Sequence, residues 1–519
     1  MTLGILPPRS QYSPDPAKST QAAPEQRRST GLAKASRCDG ITESQRGRVQ
    51  SASIWCRRAF STPENEIRAL PMIAYDRSTL RESSRDRSRS GPRILRVGFL
   101  LLTLLAGSTV DAEQVRILET HAHAAQARVD LVRGAERSID TAYFIYDDDH
   151  AGLAGLYLLR EAARRGVTVR LIIDSQWNKV SGAIIAHLVD EGVQVKLYHR
   201  FSLFKPFWWT RRMHDKLVIV DAEHLIAGGR NIEDPYFGLD EERNYLDRDI
   251  YVRGASAGDS ARYFEDLWNS RHVGDPPVAR VPDDRREAAA QSVQRGAEYL
   301  ARSTIVDDSR AGTILSSTTT VPSARFLHDE VARVRKKPGI RKDLLELFAD
   351  TQETLRIETP YLVVTKGVRR LFRELLDRGV KIRLLTNSLK TTDNVWPQAG
   401  YVGRKKKLVR MGIELWEYAG PESLHSKSAV IDGKVVLVGS YNLDPRSERL
   451  NTEIAVVVED RGLAADLEAC MQRNLRNSWR IGPDGKPLGQ KRRYPGVGLC
   501  KRIKVRLIRL ILPCVRGQL

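Results

Sequence analysis

Cysteine is scarce in this sequence. Five are scattered over 519 residues, at Cys38, Cys56, Cys470, Cys500 and Cys514. They form no disulfide framework, so the fold has to rest on buried apolar surface. Long hydrophobic runs are missing as well: the apolar stretch from Val97 to Ala106 falls well short of the about 20 residues that cross a bilayer. No cluster of Cys, His and acidic residues has metal-ligand spacing, so neither a catalytic metal nor another cofactor is implied. Acids are in deficit, 64 Asp and Glu against 84 Lys and Arg, and the net charge of +20 predicts an anionic partner. Nucleic-acid backbones and anionic lipid headgroups both answer that description.

What the sequence does contain is a pattern that occurs twice. His214-x-Lys216-x4-Asp221 in the first half returns as His425-x-Lys427-x4-Asp432 in the second. Each is followed at the same offsets by a Gly-rich turn and an asparagine: Gly228-Gly229-Arg230-Asn231, then Gly439-Ser440-Tyr441-Asn442. Two matched half-sites imply one shared active site. Met213 to Asp221 and Leu424 to Asp432 read as strands, where side chains two apart share a face. Each His therefore points the same way as its Lys, while Asp221 and Asp432 fall on the other face and read as structural. Imidazole moves a proton near neutral pH and is a competent nucleophile. A nearby lysine supplies the positive charge that a phosphoryl group needs as charge builds on its oxygens. Two such pairs suit a phosphodiester: one His attacks phosphorus, and the other protonates the leaving alcohol and then activates the second acceptor.

The repeat extends beyond the motif. Ser138-Ile-Asp-Thr-Ala-Tyr-Phe144 answers Arg356-Ile-Glu-Thr-Pro-Tyr-Leu362, and Arg165-Gly-Val-Thr-Val-Arg-Leu171 answers Arg378-Gly-Val-Lys-Ile-Arg-Leu384. Short β-branched runs alternate with segments of helical apolar spacing, such as Leu153 to Arg165 and Val368 to Arg378. The predicted fold is α/β, with two homologous lobes, each a mixed β-sheet flanked by helices, and the two sheets side by side. The lobes are predicted at residues 113–300 and 341–482, joined by a linker at 301–340, with a basic amphipathic tail at 483–519. Residues 1–92, dense in Arg, Ser, Pro and Gln, read as disordered or as sequence upstream of the true start. Residues 93–112 resemble a bacterial secretory signal: basic residues, a short apolar run, then small residues. That placement suits translation from Met72.

With these motifs in view, the chain resembles the phospholipase D superfamily, and within it the bacterial cardiolipin-synthase-like and phospholipase-D-like proteins. The residues that carry the likeness are Arg212 to Asp221, Gly228 to Ile232, Leu424-His-Ser-Lys427 and the run Gly439 to Glu453, within a region of roughly 115–480. The resemblance implies His214 as the nucleophile that forms a phosphohistidine and His425 as the general acid, although the residues themselves leave that order open. It also implies that Lys216, Lys427, Asn231 and Asn442 hold the phosphate oxygens. After each motif a strand begins with an acid, Asp249 and Glu453, and a carboxylate there accepts the far ring N–H and fixes the tautomer. One departure stands out: where the subgroup's loop would place a histidine two before a Gly, this chain has Gln398.

Two features favour lipid over nucleic acid. Phe201 to Arg212 sets aromatic residues, among them Phe207, Trp208 and Trp209, beside basic ones, as in a loop that contacts a headgroup layer. The tail from Leu499 to Pro513 mixes apolar and basic positions like an interfacial helix. The function expected is therefore phosphatidyl transfer between phospholipids, or phospholipid hydrolysis when water replaces the alcohol. The expected place is the bacterial cell envelope, exported or periplasmic and peripherally attached to the inner membrane. The alternatives are a nuclease-type phosphodiesterase and a non-catalytic DNA- or membrane-binding module; oligomeric state is not legible.

Overall fold

Apolar runs alternate with segments of helical spacing, and in the computed structural model they become two sheets of the same design. The structure describes residues 112–199, 210–331, 339–491 and 494–515. In the first lobe, β1 (Glu113–Leu118), α1 (His121–Gly134), β2 (Ser138–Tyr143), α2 (His150–Arg164), β3 (Thr168–Asp174), α3 (Gly182–Asp190) and β4 (Gln194–Tyr198) come first. Then follow β5 (Lys216–Val220), β6 (His224–Gly228), β7 (Tyr245–Leu246), β8 (Asp249–Arg253), α4 (Ala255–Trp268), β9 (Val273–Gly274) and α5 (Asp283–Ala301). The one-turn α6 (Thr313–Ser316) and β10 (Thr319–Val321) close the lobe.

The second lobe begins with β11 (Ala324–His328), α7 (Ile340–Ala349), β12 (Thr354–Glu358), α8 (Lys366–Asp377), β13 (Lys381–Asn387), α9 (Val395–Val402) and α10 (Lys405–Arg410). It continues through β14 (Glu414–Tyr418), β15 (Ser423–Leu424), β16 (Ser428–Ile431), β17 (Val435–Gly439), α11 (Pro445–Arg449), β18 (Ile454–Glu459), α12 (Arg461–Arg476) and β19 (Ser478–Arg480), with α13 (Leu499–Val515) last. Polar side chains start the helices: Thr120, Asp149, Ser181, Thr365 and Asp460 each accept the backbone N–H three residues on, which satisfies a donor the helix leaves open.

Strand order is β10-β1-β8-β6-β5-β2-β3-β4-β9 in one sheet and β11-β18-β17-β16-β12-β13-β14-β19 in the other. Apart from β10 the two orders correspond strand for strand. The parallel pairs β2/β3, β3/β4, β12/β13 and β13/β14 are reached through helical crossovers, and the remaining neighbours are antiparallel.

The sheets lie face to face rather than side by side, which corrects the sequence-based picture. Period-two alternation is the cause: Leu217, Ile219, Leu225, Ala227, Ile250 and Val252 from one sheet meet Val430, Val436, Val438, Ile454, Val456 and Val458 from the other in a single core, with α4 and α12 beside them. The intervening side chains, such as Val218 and Ile226 or Ala429 and Leu437, point outward under the helices of their own lobe. At about 1.5–3 kcal/mol for each large side chain buried, the shared core commits the two lobes to one another. Residues 301–340, read from sequence as a linker, supply an edge strand to each sheet, β10 against β1 and β11 against β18.

Candidate active site

Two very short pairings between the lobes place the repeated motifs. Leu246 of β7 runs beside Leu424 of β15, and Met213 forms a bridge with Thr452. His425 N–H donates to Leu246 O at 2.8 Å, and His214 N–H donates to Thr452 O at 3.2 Å. Each motif is thus held one residue away from an acid of the other lobe. His214 Nδ1 lies 2.9 Å from Glu453 Oε2, and His425 Nδ1 lies 2.5 Å from Asp247 Oδ2. A carboxylate on Nδ1 fixes that nitrogen as the N–H and leaves Nε2 as the reactive atom.

The acid on His425 is Asp247, not Asp249, which corrects the sequence reading. Gly228 pairs with Asp249 in the first sheet and Gly439 with Ala455 in the second, so the counterpart of Glu453 is Asp247. Both aspartates share a strand face, being two apart, and the likeness of Asp249-Ile-Tyr-Val to Glu453-Ile-Ala-Val selects the wrong one. Asp249 is fully buried behind the site, and its Oδ2 accepts from Arg128 at 2.9 Å and Arg230 at 3.3 Å. Gly229 makes the room that Asp247 needs, since a Cβ there would stand 2.1 Å from Asp247 Oδ1. The matching residue Ser440 instead donates its hydroxyl to Glu453, as does Ser447.

The lysines stand beside their histidines. Lys216 Nζ donates to His214 O at 2.7 Å, and Lys427 Nζ lies 2.6 Å from His425 Nδ1. All four side chains are buried. Asn231 donates one amide N–H to Tyr236 Oη at 2.8 Å, and its Oδ1 accepts from Ile145 N. Asn442 is buried with its Oδ1 lacking a hydrogen-bond partner. Asp221 and Asp432, at φ 55° and 50°, accept the backbone N–H groups of residues 136–138 and 352–354. They tie each hairpin turn to the start of β2 or β12. Gln398 is buried and donates to Asn387 O at 3.2 Å. Phe207, Trp208 and Trp209, expected to contact membrane, and the signal-like segment 93–112, all but its last residue, lie outside the described residues.

Charge distribution separates the two imidazoles. Burial, then Lys216 and Lys427, push His214 well below its ordinary value near 6.5, so it is neutral at neutral pH. Burial and Lys427 lower His425 too, but Asp247 pulls it back toward the charged form. Burial and the neighbouring Lys427 bring Lys216 down to about 7; burial also lowers Lys427, against the pull of Asp247 and Glu453. Although burial favours the neutral acid, Lys427 and His425 hold the Asp247 carboxyl far below the usual carboxylate range. Two ammonium groups that disfavour each other's charge are both stabilised by an anion bound against them, which is what a phosphodiester supplies.

Sequence reasoning also missed Tyr236, whose hydroxyl lies 3.5 Å from His425 Nε2. The ring of His214 meets Phe144 edge-on at 5.0 Å, and Phe144 in turn packs on Trp177 at 5.8 Å. Neither aromatic recurs in register between the halves in a way that would have marked it. Among the described residues no group of three or more His, Cys, Asp or Glu is arranged to hold a metal ion.

Comparison with known proteins finds the same repeat. A family model described as "Cardiolipin synthase, PLD-like domain" matches residues 129–268 and 344–475. The chain is 32% identical to Cardiolipin synthase C of Escherichia coli (strain K12), over 76% of this chain and 94% of that protein. It is 26% identical to Cardiolipin synthase A of Pseudomonas aeruginosa, over 80% of this chain and 76% of that one. The crystal structure of phosphatidylserine synthase from Haemophilus influenzae Rd KW20 shares the fold, with a TM-score of 0.58 and 16% identity over 80% of this chain and 99% of that one.

Proposed function

The chain belongs to the phospholipase D superfamily, in its cardiolipin-synthase-like branch, and from that premise we propose that this enzyme transfers a phosphatidyl group from one phospholipid to the hydroxyl of another. The observation that carries the mechanism is the exchange of acids between the lobes, Glu453 on His214 and Asp247 on His425. His214 Nε2 attacks phosphorus and a P–N bond forms. The P–O bond to the leaving headgroup alcohol breaks as His425 delivers its Nε2 proton to that oxygen. The neutral His425 then takes the proton of an incoming alcohol, whose oxygen attacks phosphorus and releases His214. Lys216 and Lys427 balance charge on the non-bridging oxygens throughout. With water as acceptor the product is phosphatidic acid.

This order of roles is supported by the charge around each ring. His214 is held further toward the neutral, nucleophilic form, while Asp247 favours the proton that His425 has to give. The identity of the relatives as cardiolipin synthases supports a second phospholipid as the acceptor. Purified enzyme incubated with phosphatidylglycerol-containing vesicles is expected to yield a product with two phosphatidyl groups, with phosphatidic acid as a side product. Phosphatidic acid alone would reassign the enzyme as a hydrolase. Inert lipid together with cleaved DNA would overturn the reading.

A further inference from the structure

The last helix, α13, carries two apolar stripes where packing requires only one. Val505, Ile508 and Leu512 are buried against α9, in a small core with Leu389 and Ala399. Leu499, Ile503, Leu507, Leu510 and Ile511 are exposed, Leu507 at 59% and Leu510 at 76%. At about 100° per residue the exposed set spans one face, roughly opposite the buried one. Lys504 borders that face on one side, and Arg502, Arg506 and Arg509 border it on the other. No acid occurs between Leu499 and Leu512. A helix that only capped the lobe would turn polar side chains outward.

The helix is also fixed to the mouth of the site. Lys501 Nζ donates to Thr392 O at 2.9 Å and reaches Lys390 O at 3.4 Å. The next residue, Asp393, accepts from the Tyr361 hydroxyl at 2.7 Å, and the Tyr361 ring stands 6.3 Å from that of His425. Two tryptophans that follow the equivalent strands β3 and β13 are exposed: Trp177 at 52%, in the turn after β3 and two ring contacts from His214, and Trp396 at 41%, on α9, the helix that α13 packs against. An exposed indole on the neighbouring helix beside an apolar and basic stripe matches the composition of a lipid headgroup boundary.

We infer that the outer face of α13, with Trp396, is the surface that seats the enzyme on an anionic bilayer and holds the mouth of the site at headgroup level. The inference rests on the lipid substrate proposed above. Charge complementarity selects this occupant: the Arg-rich first ninety residues of the chain would be repelled by the four cations bordering the stripe. The helix lies on the surface rather than through it. Its 17 residues extend about 25 Å, short of the about 30 Å hydrocarbon core, and no described helix is long and apolar enough to cross.

Sedimentation of the full chain with phosphatidylcholine vesicles, with and without phosphatidylglycerol, tests this. The wild type is expected to bind the anionic vesicles at least about tenfold more tightly than the neutral ones. Changing Leu507, Leu510 and Ile511 together to Ser, or Arg506 and Arg509 together to Glu, should each weaken that binding at least about tenfold. Hydrolysis of soluble bis(p-nitrophenyl) phosphate should be unchanged, because no site residue is altered. Binding of the triple-serine variant at wild-type strength would overturn the inference. So would equal binding of the wild type to neutral vesicles, or a loss of self-association on substitution with vesicle binding intact. Anionic-vesicle binding that depends on α13 in a protein with no lipid turnover would instead count against the proposed reaction and leave this surface standing.

Discussion

His214 and His425 have the same chemistry available to them, and individual neighbouring atoms divide their tasks. The Tyr236 hydroxyl and the Asp247 carboxylate bracket His425, whereas His214 has Glu453 on one nitrogen and the edge of Phe144 against its ring. Asp247→Asn keeps the shape but replaces the charged acceptor with an amide that can turn either its oxygen or its N–H toward Nδ1, so the tautomer is no longer fixed and kcat of the folded enzyme should fall by about 10²–10⁴-fold. Asp249→Asn should do the reverse, costing about 3–5 kcal/mol through Arg128 and Arg230 while folded molecules turn over at close to the wild-type rate. Kinetics and thermal melts on both variants decide it; a silent Asp247→Asn would remove this acid from the mechanism. The pH profile follows from the same groups. The neutral fraction of His214 rises with pH, and the charged fraction of Lys216 falls as pH passes through about 7. The kcat/KM profile should therefore be a bell, with its acid limb below the ordinary histidine range. The proton that His425 has to give is lost on the same limb, so Lys216→Arg, which stays charged throughout, should change that limb without abolishing it. An unmoved limb would assign it to another group.

The element that recurs most faithfully is the hairpin closing each motif. Asp221 after β5 and Asp432 after β16 both adopt the left-handed conformation, which Asp tolerates better than most residues. Each also accepts three backbone N–H bonds from the strand start beside it. Burial raises the pKa of each, but those bonds lower it further, so the net shift is downward. The stabilisation is therefore complete above the unfolded aspartate value, near pH 4, and is lost as pH falls through the lower folded value. Asp432→Ala should cost about 2–4 kcal/mol at neutral pH and flatten the acid side of the stability curve, as read by urea melts between pH 2 and pH 7. An equal loss at every pH would mean the charge plays no part. The fixed spacing of His, Lys and Asp along a strand made these hairpins legible in the sequence. Asp247 was not legible, because strand periodicity gives Asp247 and Asp249 the same face and only the inter-strand register separates them.

Across the whole molecule, the doubled pattern announced two lobes of one design, and the matching strand orders repeat it element by element. What the sequence could not announce is how the lobes meet. Helical and strand periodicity report which side of an element is buried, not which other element buries it. The face-to-face packing and the exchange of Glu453 and Asp247 depend on contacts between halves: the shared core, the β7–β15 pairing, and Arg248, fully buried and bonded to Glu119 of its own lobe and to Glu358 and Ser428 of the other. One consequence is that neither lobe holds a complete half-site, since each histidine depends on an acid supplied by the other. The most direct test of that shared site is to quench the His425→Ala enzyme after it meets a phosphodiester with a p-nitrophenol leaving group, which needs no general acid to depart, and to locate the adduct by mass spectrometry. The phosphoryl group should sit on His214 and be absent when His214→Ala is treated the same way; an adduct on another residue, or turnover with none, would contradict the mechanism.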